Sequence, residues 1–259
     1  MKKKYLFIFL LAFAACASWN ILTDTSKPAK PAAAASWTEK VSGWIPSAGT
    51  AKQKLYPYLH FREAINEKIK AMPMYVSISV IPRPMQQAVI ATEDRRFYEH
   101  GAIDPIGIMR AMMVNFNSGE TLEGGSTISQ QVVKNVFLSH ERTLTRKIQE
   151  LVLSILLERN YTKDEILEIY LNSAYFGANA TGIEDACRIY YGIPCDKLTL
   201  AQSSMLAGLL QAPTYYNPLE NYTAARRRQQ VVLALMAEQN YITQRDATRA
   251  YHEDLHLQK

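Results

Sequence analysis

The chain has 259 residues, 48% hydrophobic and 20% charged, which provides enough apolar side chains for a buried core and excludes an intrinsically disordered protein. Its 11 glycines and 11 prolines exclude a collagen-like or low-complexity polymer. Lys2, Lys3 and Lys4 supply much of the net charge of +5, and the rest of the chain has no dense basic stripe, so nucleic-acid binding is not expected.

The N-terminal segment predicts export. After the three lysines, residues 5–22 carry no charge, and as a helix they would span about 27 Å, close to the hydrocarbon thickness of a bilayer. Three interpretations are open: a transmembrane anchor over residues 1–22, which we favour, a cleaved secretory signal, or a lipoprotein signal with Cys16 as the lipidated residue. All three place the body outside the cytoplasm. Residues 23–36 are typical of a linker, which leaves residues 37–259 as the predicted domain.

The body predicts an all-α fold with a minor β contribution. The only strand-like run is residues 75–81, near the N-terminal side, where we expect a small irregular or β-containing subdomain. Asp104 followed by Pro105 predicts a helix start. Four apolar residues then recur at helical spacing: Ile106, Met109, Met113 and Phe116. Such side chains should face the core, although some near the N-terminal subdomain should meet lipid. Residues 117–125 predict a mobile loop.

The later helices carry start signals and amphipathic patterns. Thr127, Thr162 and Thr199, each followed three residues later by Gln or Glu, predict capped helix starts. An apolar stripe predicts the buried face of another helix: Ile148, Leu151, Val152, Ile155 and Leu156. Cys187 and Cys195 lie eight residues apart across a turn, and they predict either a disulfide or two buried thiols.

The first candidate for catalytic chemistry is the acidic pair Glu93 and Asp94. These residues follow the apolar residues 88–91. A carboxylate at the end of a buried helix, beside another acid, should have a raised pKa, which suits a general base. The simpler alternative is an exposed acidic helix end.

The second candidate is a charged cluster, formed by Arg146, Lys147 and Glu150 on the helix face opposite the apolar stripe. The simpler alternative is ion pairing on the surface. The functional alternative is a carboxylate held beside two cations, with Lys134 as a third, which suits a diphosphate or another anionic leaving group. The helix start after residues 124–127 offers backbone N–H groups as an anion seat.

Residues 252–256 match the HExxH pattern of zinc proteases. A third metal ligand usually comes from further along the chain, and here only Leu257, Gln258 and Lys259 follow. A terminus also tends to fray, whereas a catalytic zinc helix needs packed surroundings. We therefore expect no metallopeptidase and no dedicated metal site.

Five motifs, in order, resemble the peptidoglycan glycosyltransferases, the lysozyme-like module of penicillin-binding proteins and their monofunctional relatives. The first, EDRRFYEHGAID over residues 93–104, keeps five family positions: Glu93, Asp94, Phe97, His100 and Asp104. The second, third and fourth, GGSTISQQVVKN, RKIQE and ILEIYLN, begin at residues 124, 146 and 166. The fifth is the spacing of Arg228, Val232 and Leu233. Ser129 stands where the family has Thr, and Ala102 and Asn179 stand where it has Gly; Asn tolerates a positive φ well.

The resemblance implies a lysozyme-like helical lobe, a membrane-proximal subdomain, and polymerisation of lipid II into glycan strands. Glu93 would then be the general base that takes the proton from the acceptor GlcNAc 4-hydroxyl, whose oxygen attacks C1 of the donor MurNAc with inversion and expels undecaprenyl diphosphate. Glu150 would be the second acid, on the donor side. The remaining positions would bind substrate or shape the site: Asp94, Phe97, His100, Thr127, Gln130, Gln131, Lys134, Asn135, Arg146 and Lys147. Asp104 should cap a helix.

The same resemblance sets the expected partners and limits. Lys134, Arg146 and Lys147 would neutralise the diphosphate without a cofactor, and a divalent cation such as Mg²⁺ on that diphosphate is compatible with the scheme. The partners would be lipid II, the growing glycan, the cytoplasmic membrane and other cell-wall synthesis proteins. The 259 residues contain no Ser-x-x-Lys or Lys-Thr-Gly motif, which predicts a monofunctional enzyme. The rival functions are a lytic, lysozyme-like enzyme and a non-catalytic wall-assembly protein.

Overall fold

The computed structural model describes residues 55–118, 124–138 and 143–258, which are mostly helical, as predicted. Residues 55–59 are helical and precede α1. The further helices in these ranges are α1 (Phe61–Lys70), α2 (Arg83–Glu93), α3 (Pro105–Ser118), α4 (Ile128–Phe137), α5 (Leu144–Asn160), α6 (Lys163–Ser173), α7 (Ile183–Tyr191), α8 (Leu200–Leu209), α9 (Tyr222–Glu238) and α10 (Gln244–His252). Two short strands, β1 (Tyr175–Gly177) and β2 (Ala180–Thr181), and a 3₁₀ turn (Cys195–Lys197) complete them.

The predicted anchor and linker lie outside the described residues, as does most of the predicted loop over residues 117–125. None of the helices within the described ranges is both long enough and apolar enough to span a membrane. α3 extends to Ser118, where the first described range ends.

The core has two packed groups of helices. In one, α8 lies between α2 and α9, and every residue from Ala201 to Leu209 is buried, which explains why this helix is apolar or small all round. In the other, α4 packs against both α5 and α6. A single buried apolar cluster connects the two groups, so the ends of α2, α4 and α5 are held in fixed relation.

Of the two alternatives for the strand-like residues 75–81, the structure has the irregular segment and not the strand. Its backbone bonds to two side chains of α6 instead of to a second strand. Asn172 accepts from the Val76 N–H at 2.9 Å and donates to the Val76 carbonyl at 2.8 Å. Glu168 accepts from the Ile78 N–H at 2.7 Å and from the Tyr75 hydroxyl at 2.8 Å. The alternating pattern therefore reflects one side packed on α6.

The observed strands form an antiparallel hairpin that the sequence pattern did not predict. Its turn contains Ala178 and Asn179 at positive φ, 47° and 62°. The expectation that Asn179 tolerates this conformation in place of glycine is confirmed. Gly177, at φ 85°, lies so close to the Pro213 carbonyl that a Cβ would be 2.6 Å from its oxygen, which requires glycine here.

The apolar repeat of α3 forms a helix, as predicted, but it does not face the core. Exposure is 56% at Ile106, 59% at Met109, 62% at Met113 and 88% at Phe116. Spacing alone indicates an apolar face and does not say what covers it. The second part of the expectation, that some apolar residues meet lipid, stays a prediction.

The buried face of α5 is not the one predicted. The stripe from Ile148 to Leu156 is only half-buried, whereas the buried residues are Glu150, Leu153, Ser154 and Leu157. The buried set is the face that packs against α4. It includes a glutamate because that carboxylate has ionic partners within the protein, which compensate its burial.

The capped helix starts are confirmed at Thr127, Thr162 and Thr199, each of which forms a reciprocal capping box. Of the two alternatives for Cys187 and Cys195, the structure has the pair of buried free thiols. Burial raises the pKa of both thiols, that of Cys195 to about 12, which disfavours the reactive thiolate.

Candidate active site

A groove of about 550 Å³ runs between α4, α5 and the residues that follow α6 and α8. Six of the predicted site residues line it: Gln131, Lys134, Asn135, Arg146, Lys147 and Glu150. The opposite wall includes Tyr170, Tyr175, Leu210 and Pro213. The groove therefore has a charged side and a side with aromatic and apolar groups, a combination that binds amphiphilic ligands.

Glu150 anchors the charged side. It is only 3% exposed, and it accepts from Arg146 Nη1 at 3.1 Å and from Lys147 Nζ. Lys147 also donates to the Ser126 hydroxyl at 3.0 Å, which connects α5 to the residues before α4. The spacing of one helical turn brings the three charges together, as predicted, although Glu150 lies on the buried face.

Lys134 lies on α4 across from this cluster and is half-buried. Burial lowers the pKa of its ammonium group, while the charges of Glu150 and Glu93 raise it. Arg146 and Lys147 repel it. Three cations therefore share one groove with one ion-paired carboxylate, so the groove retains positive charge for an anionic ligand.

Glu93 is the last residue of α2 and is half-buried. Its carboxylate accepts from Gln131 Nε2 at 2.9 Å, and Tyr170 Oη lies 3.3 Å from Gln131 Oε1, which fixes the orientation of the amide. Burial raises the pKa of Glu93 above its usual value, and Asp94 raises it further; Gln131, Arg228 and Lys134 oppose this rise. Glu93 is thus connected to the groove by its hydrogen bond to Gln131, which lines the groove together with Tyr170.

Five further predicted site residues of the first and second motifs face inward, whereas Asn135 is exposed. Phe97 is fully buried, with Lys163 Nζ 4.4 Å from its ring centre, and Thr127 and Gln130 are buried at the start of α4. Asp94 and His100 pair with each other at 2.7 Å, each side chain 4% exposed. In this structure they surround the end of α2, and contact of any of them with substrate stays a prediction.

The predicted anion seat at the start of α4 is wrong, because the protein's own acceptors occupy it. Asp94 Oδ2 accepts from the Ile128 N–H at 3.0 Å, and the Thr127 hydroxyl accepts from the Gln130 N–H at 3.2 Å. Asp104, by contrast, caps α3 as expected, because its carboxylate accepts from the Gly107 N–H. Ala102 has no positive φ, so it fits this turn without strain.

Two groups near Glu93 were missing from the predicted site. Arg228 on α9 favours the ionised form of Glu93 by its charge, and its buried Nε finds no acceptor among the described residues. Tyr170 is buried and contacts Gln131. Tyr170 belongs to the fourth motif and Arg228 to the fifth. Motif membership could therefore have pointed to both residues, but it does not say what either of them does.

One group of side chains has the composition of a metal site. Within the described residues, the ligand-type atoms of Asp94, His100 and Asp104 lie within 4.8 Å of one another. Arg96 already binds both oxygens of Asp104, at 3.2 and 2.9 Å, and we assign no metal to the group. The HExxH residues do not form a zinc helix, because α10 ends at His252 and His256 has a positive φ.

Comparison with known proteins places these residues in a family. The sequence model described as transglycosylase matches residues 62–237. The chain belongs to the transglycosylase family. It is 52% identical over 177 residues to penicillin-binding protein 1A/1B of Bacillus subtilis, covering 68% of this chain and 19% of that protein. It is 49% identical over 176 residues to penicillin-binding protein 1A of Escherichia coli, covering 67% and 21%.

A shorter relative is similar over most of its length. A Cupriavidus necator protein named as a transglycosylase is 47% identical over 185 residues, covering 71% of this chain and 80% of that protein. The chain spans about a fifth of the length of the two penicillin-binding proteins. The resemblance drawn from the five motifs is thus confirmed at the level of the transglycosylase module, which contains both Glu93 and the charged groove.

Proposed function

We propose that this transglycosylase polymerises lipid II into glycan strands, with Glu93 as the general base. The observation that carries the proposal is the connection of a half-buried glutamate of raised pKa, through Gln131, to a groove that contains Lys134, Arg146 and Lys147. A raised pKa suits proton uptake near neutral pH, and clustered cations suit a departing diphosphate.

In the proposed reaction, the Glu93 carboxylate removes the proton from the acceptor GlcNAc 4-hydroxyl. The oxygen forms a bond to C1 of the donor MurNAc with inversion, while the C1–O bond to undecaprenyl diphosphate breaks. The leaving diphosphate takes the bonding electron pair, and Lys134, Arg146 and Lys147 stabilise its charge. Glu150 holds Arg146 and Lys147 in place, as their contacts support. Thr127, Gln130 and Asn135 would complete the donor cleft.

The charged groups of the chain carry this scheme without a resident cofactor. A divalent cation such as Mg²⁺ on the substrate diphosphate would add to the same stabilisation. The exposed apolar residues of α3 support placement against the membrane that holds the lipid substrate. We propose, accordingly, a single-pass protein anchored by residues 1–22, with the domain on the extracytoplasmic side.

The test is incubation of the purified full chain, in detergent, with lipid II, with and without chelator, followed by separation of polymer from monomer. We expect polymer, and its loss in Glu93→Gln, by about 10²–10⁴-fold. Cleavage of isolated sacculi without polymer formation would instead identify a lytic enzyme. Polymer formation undiminished in Glu93→Gln would overturn the role of Glu93, and cell-wall function undiminished in that variant would favour a scaffold.

A further inference from the structure

His100 lies between two groups that can only accept hydrogen bonds. Its Nδ1 is 2.6 Å from the Gly101 carbonyl oxygen, and its Nε2 is 2.7 Å from Asp94 Oδ1. Neutral imidazole has one N–H and one lone pair, so it can satisfy only one of these contacts. Both contacts are as short as charge-assisted hydrogen bonds. The ring therefore donates from both nitrogens, provided that Asp94 is ionised.

The second oxygen of Asp94 indicates that it is ionised. Asp94 Oδ2 accepts from the Ile128 N–H at 3.0 Å, and Ile128 is the first residue of α4. A backbone N–H at this position has no partner within its own helix, and the positive end of the helix dipole favours a negative charge beside it. A proton on Asp94 would remove the negative charge that this field favours. Of the two paired side chains, His100 therefore carries the proton.

The charged groups around the ring also favour a protonated His100. The carboxylate oxygens facing it come from Asp94, after α2, and from Asp104, before α3. Arg96 pairs with Asp104 through both of its oxygens, and α4 contributes the N–H of Ile128 and the hydroxyl of Thr127, which donates to the Ala102 carbonyl. Arg96 also pairs with the exposed Glu99, at 3.1 Å. With His100 protonated, each of the buried carboxylates Asp94 and Asp104 has a cationic partner. With His100 neutral, Asp94 would lose its paired cation, and leaving a buried charge unpaired is costly.

We infer that His100 is a positioning residue that acts as an imidazolium, holding Asp94 against the start of α4 and so fixing Glu93 relative to Gln131. Glu93 directly precedes Asp94, and Gln131 is in the first turn of α4. The bridge His100–Asp94–Ile128 therefore joins the helix end that carries the base to the helix start that carries its hydrogen-bond donor. Loss of either ring proton would place a lone pair against an acceptor. At Nε2 it would break the bond to Asp94, and at Nδ1 it would release the ring from the Gly101 carbonyl that orients it.

The protonation state can be measured without any assay of activity. The full chain, labelled with ¹⁵N-histidine and held in detergent micelles, has five histidines, and a His100→Gln sample assigns the His100 signals by difference. At pH 7.5 we expect both ring nitrogens of His100 to show the protonated signature. A neutral tautomer, with one unprotonated nitrogen, would overturn the inference, whatever the enzyme does.

The positioning role, which rests on the proposed function, is tested by lipid II kinetics. His100→Ala should lower kcat by about 10- to 100-fold with KM unchanged. His100→Gln, which can still donate to Asp94, should lose less. The exposed His252→Gln is the matched control and should match the wild type.

Two results would contradict the positioning role. A rise in KM with unchanged kcat would mean that His100 contacts substrate, and equal kcat values in the wild type and His100→Ala would mean that the bridge is dispensable. If the wild type itself forms no polymer, the proposed function fails, whereas the ¹⁵N measurement still decides the protonation state.

Discussion

Glu93, at the end of α2, and Glu150, between α4 and α5, are both shielded from solvent, but their carboxylates have different partners. Glu93 has an amide, Gln131, as its hydrogen-bond partner, and burial raises its pKa. Glu150 has two cationic partners on its own helix, Arg146 and Lys147. An amide leaves a carboxylate able to take up a proton, whereas two cationic partners compensate the negative charge of a buried carboxylate. The two environments thus suit different roles: Glu93 that of a base, and Glu150 that of a counter-ion to Arg146 and Lys147.

The sharpest test of this comparison changes each glutamate to glutamine. Both Glu93→Gln and Glu150→Gln should abolish polymerisation, but their thermal unfolding should differ. Glu93→Gln should keep or raise Tm, because it removes a carboxylate whose burial disfavours its charge. Glu150→Gln should lose about 1–3 kcal/mol, because Arg146 and Lys147 lose their partner. Calorimetry on both variants checks this, and equal Tm values would erase the distinction.

A second test removes the cation that both glutamates attract. Lys134→Met should lower kcat/KM by about 10²–10³-fold, because charge on the leaving group loses a stabilising partner. The acidic limb of the pH profile should also move to higher pH, since Lys134 favours ionised Glu93. Lys197→Met, an exposed lysine paired with Asp196, is the control and should behave as wild type.

Arg228 offers a more selective change at the base alone. Its charge lowers the pKa of Glu93, so Arg228→Gln should raise that pKa and shift the acidic limb to higher pH. Activity should fall more on the acidic side of the profile than on the alkaline side. The neighbouring exposed Arg227→Gln serves as control. A uniform loss at every pH would assign Arg228 to packing instead.

The smallest effect is expected at the C-terminal HExxH pattern. His252→Ala should leave polymerisation and its response to chelator unchanged, since α10 ends at this residue and its ring bonds only to the Thr248 carbonyl among the described residues. A large loss of activity would restore the metal interpretation and weaken the assignment of the chemistry to Glu93.

Much of this arrangement follows from local rules in the sequence. Capping boxes at Thr127 and Thr162 place the starts of α4 and α6, and helical spacing then joins Arg146, Lys147 and Glu150. These features depend on residues within one helical turn, so no knowledge of tertiary structure is needed to predict them. The motifs likewise predict which residues share the groove.

The rest depends on contacts between distant parts of the chain. Apolar periodicity predicted the wrong buried face of α5, because it gives no weight to a buried glutamate that has internal partners. It predicted the helix of α3 but could not tell whether the apolar face of that helix is buried or exposed. The influence of Arg228 on Glu93 crosses from α9 to α2, and no local pattern reports such a pairing.

The attachment of residues 75–81 to α6 has a mechanical consequence. Val76 and Ile78 are bonded to Asn172 and Glu168, and α2 begins only at Arg83. Tension that passed α1 and reached residue 75 would therefore load α6 through two side chains. Those bonds would have to rupture before the strain reached α2 and the glutamate at its far end.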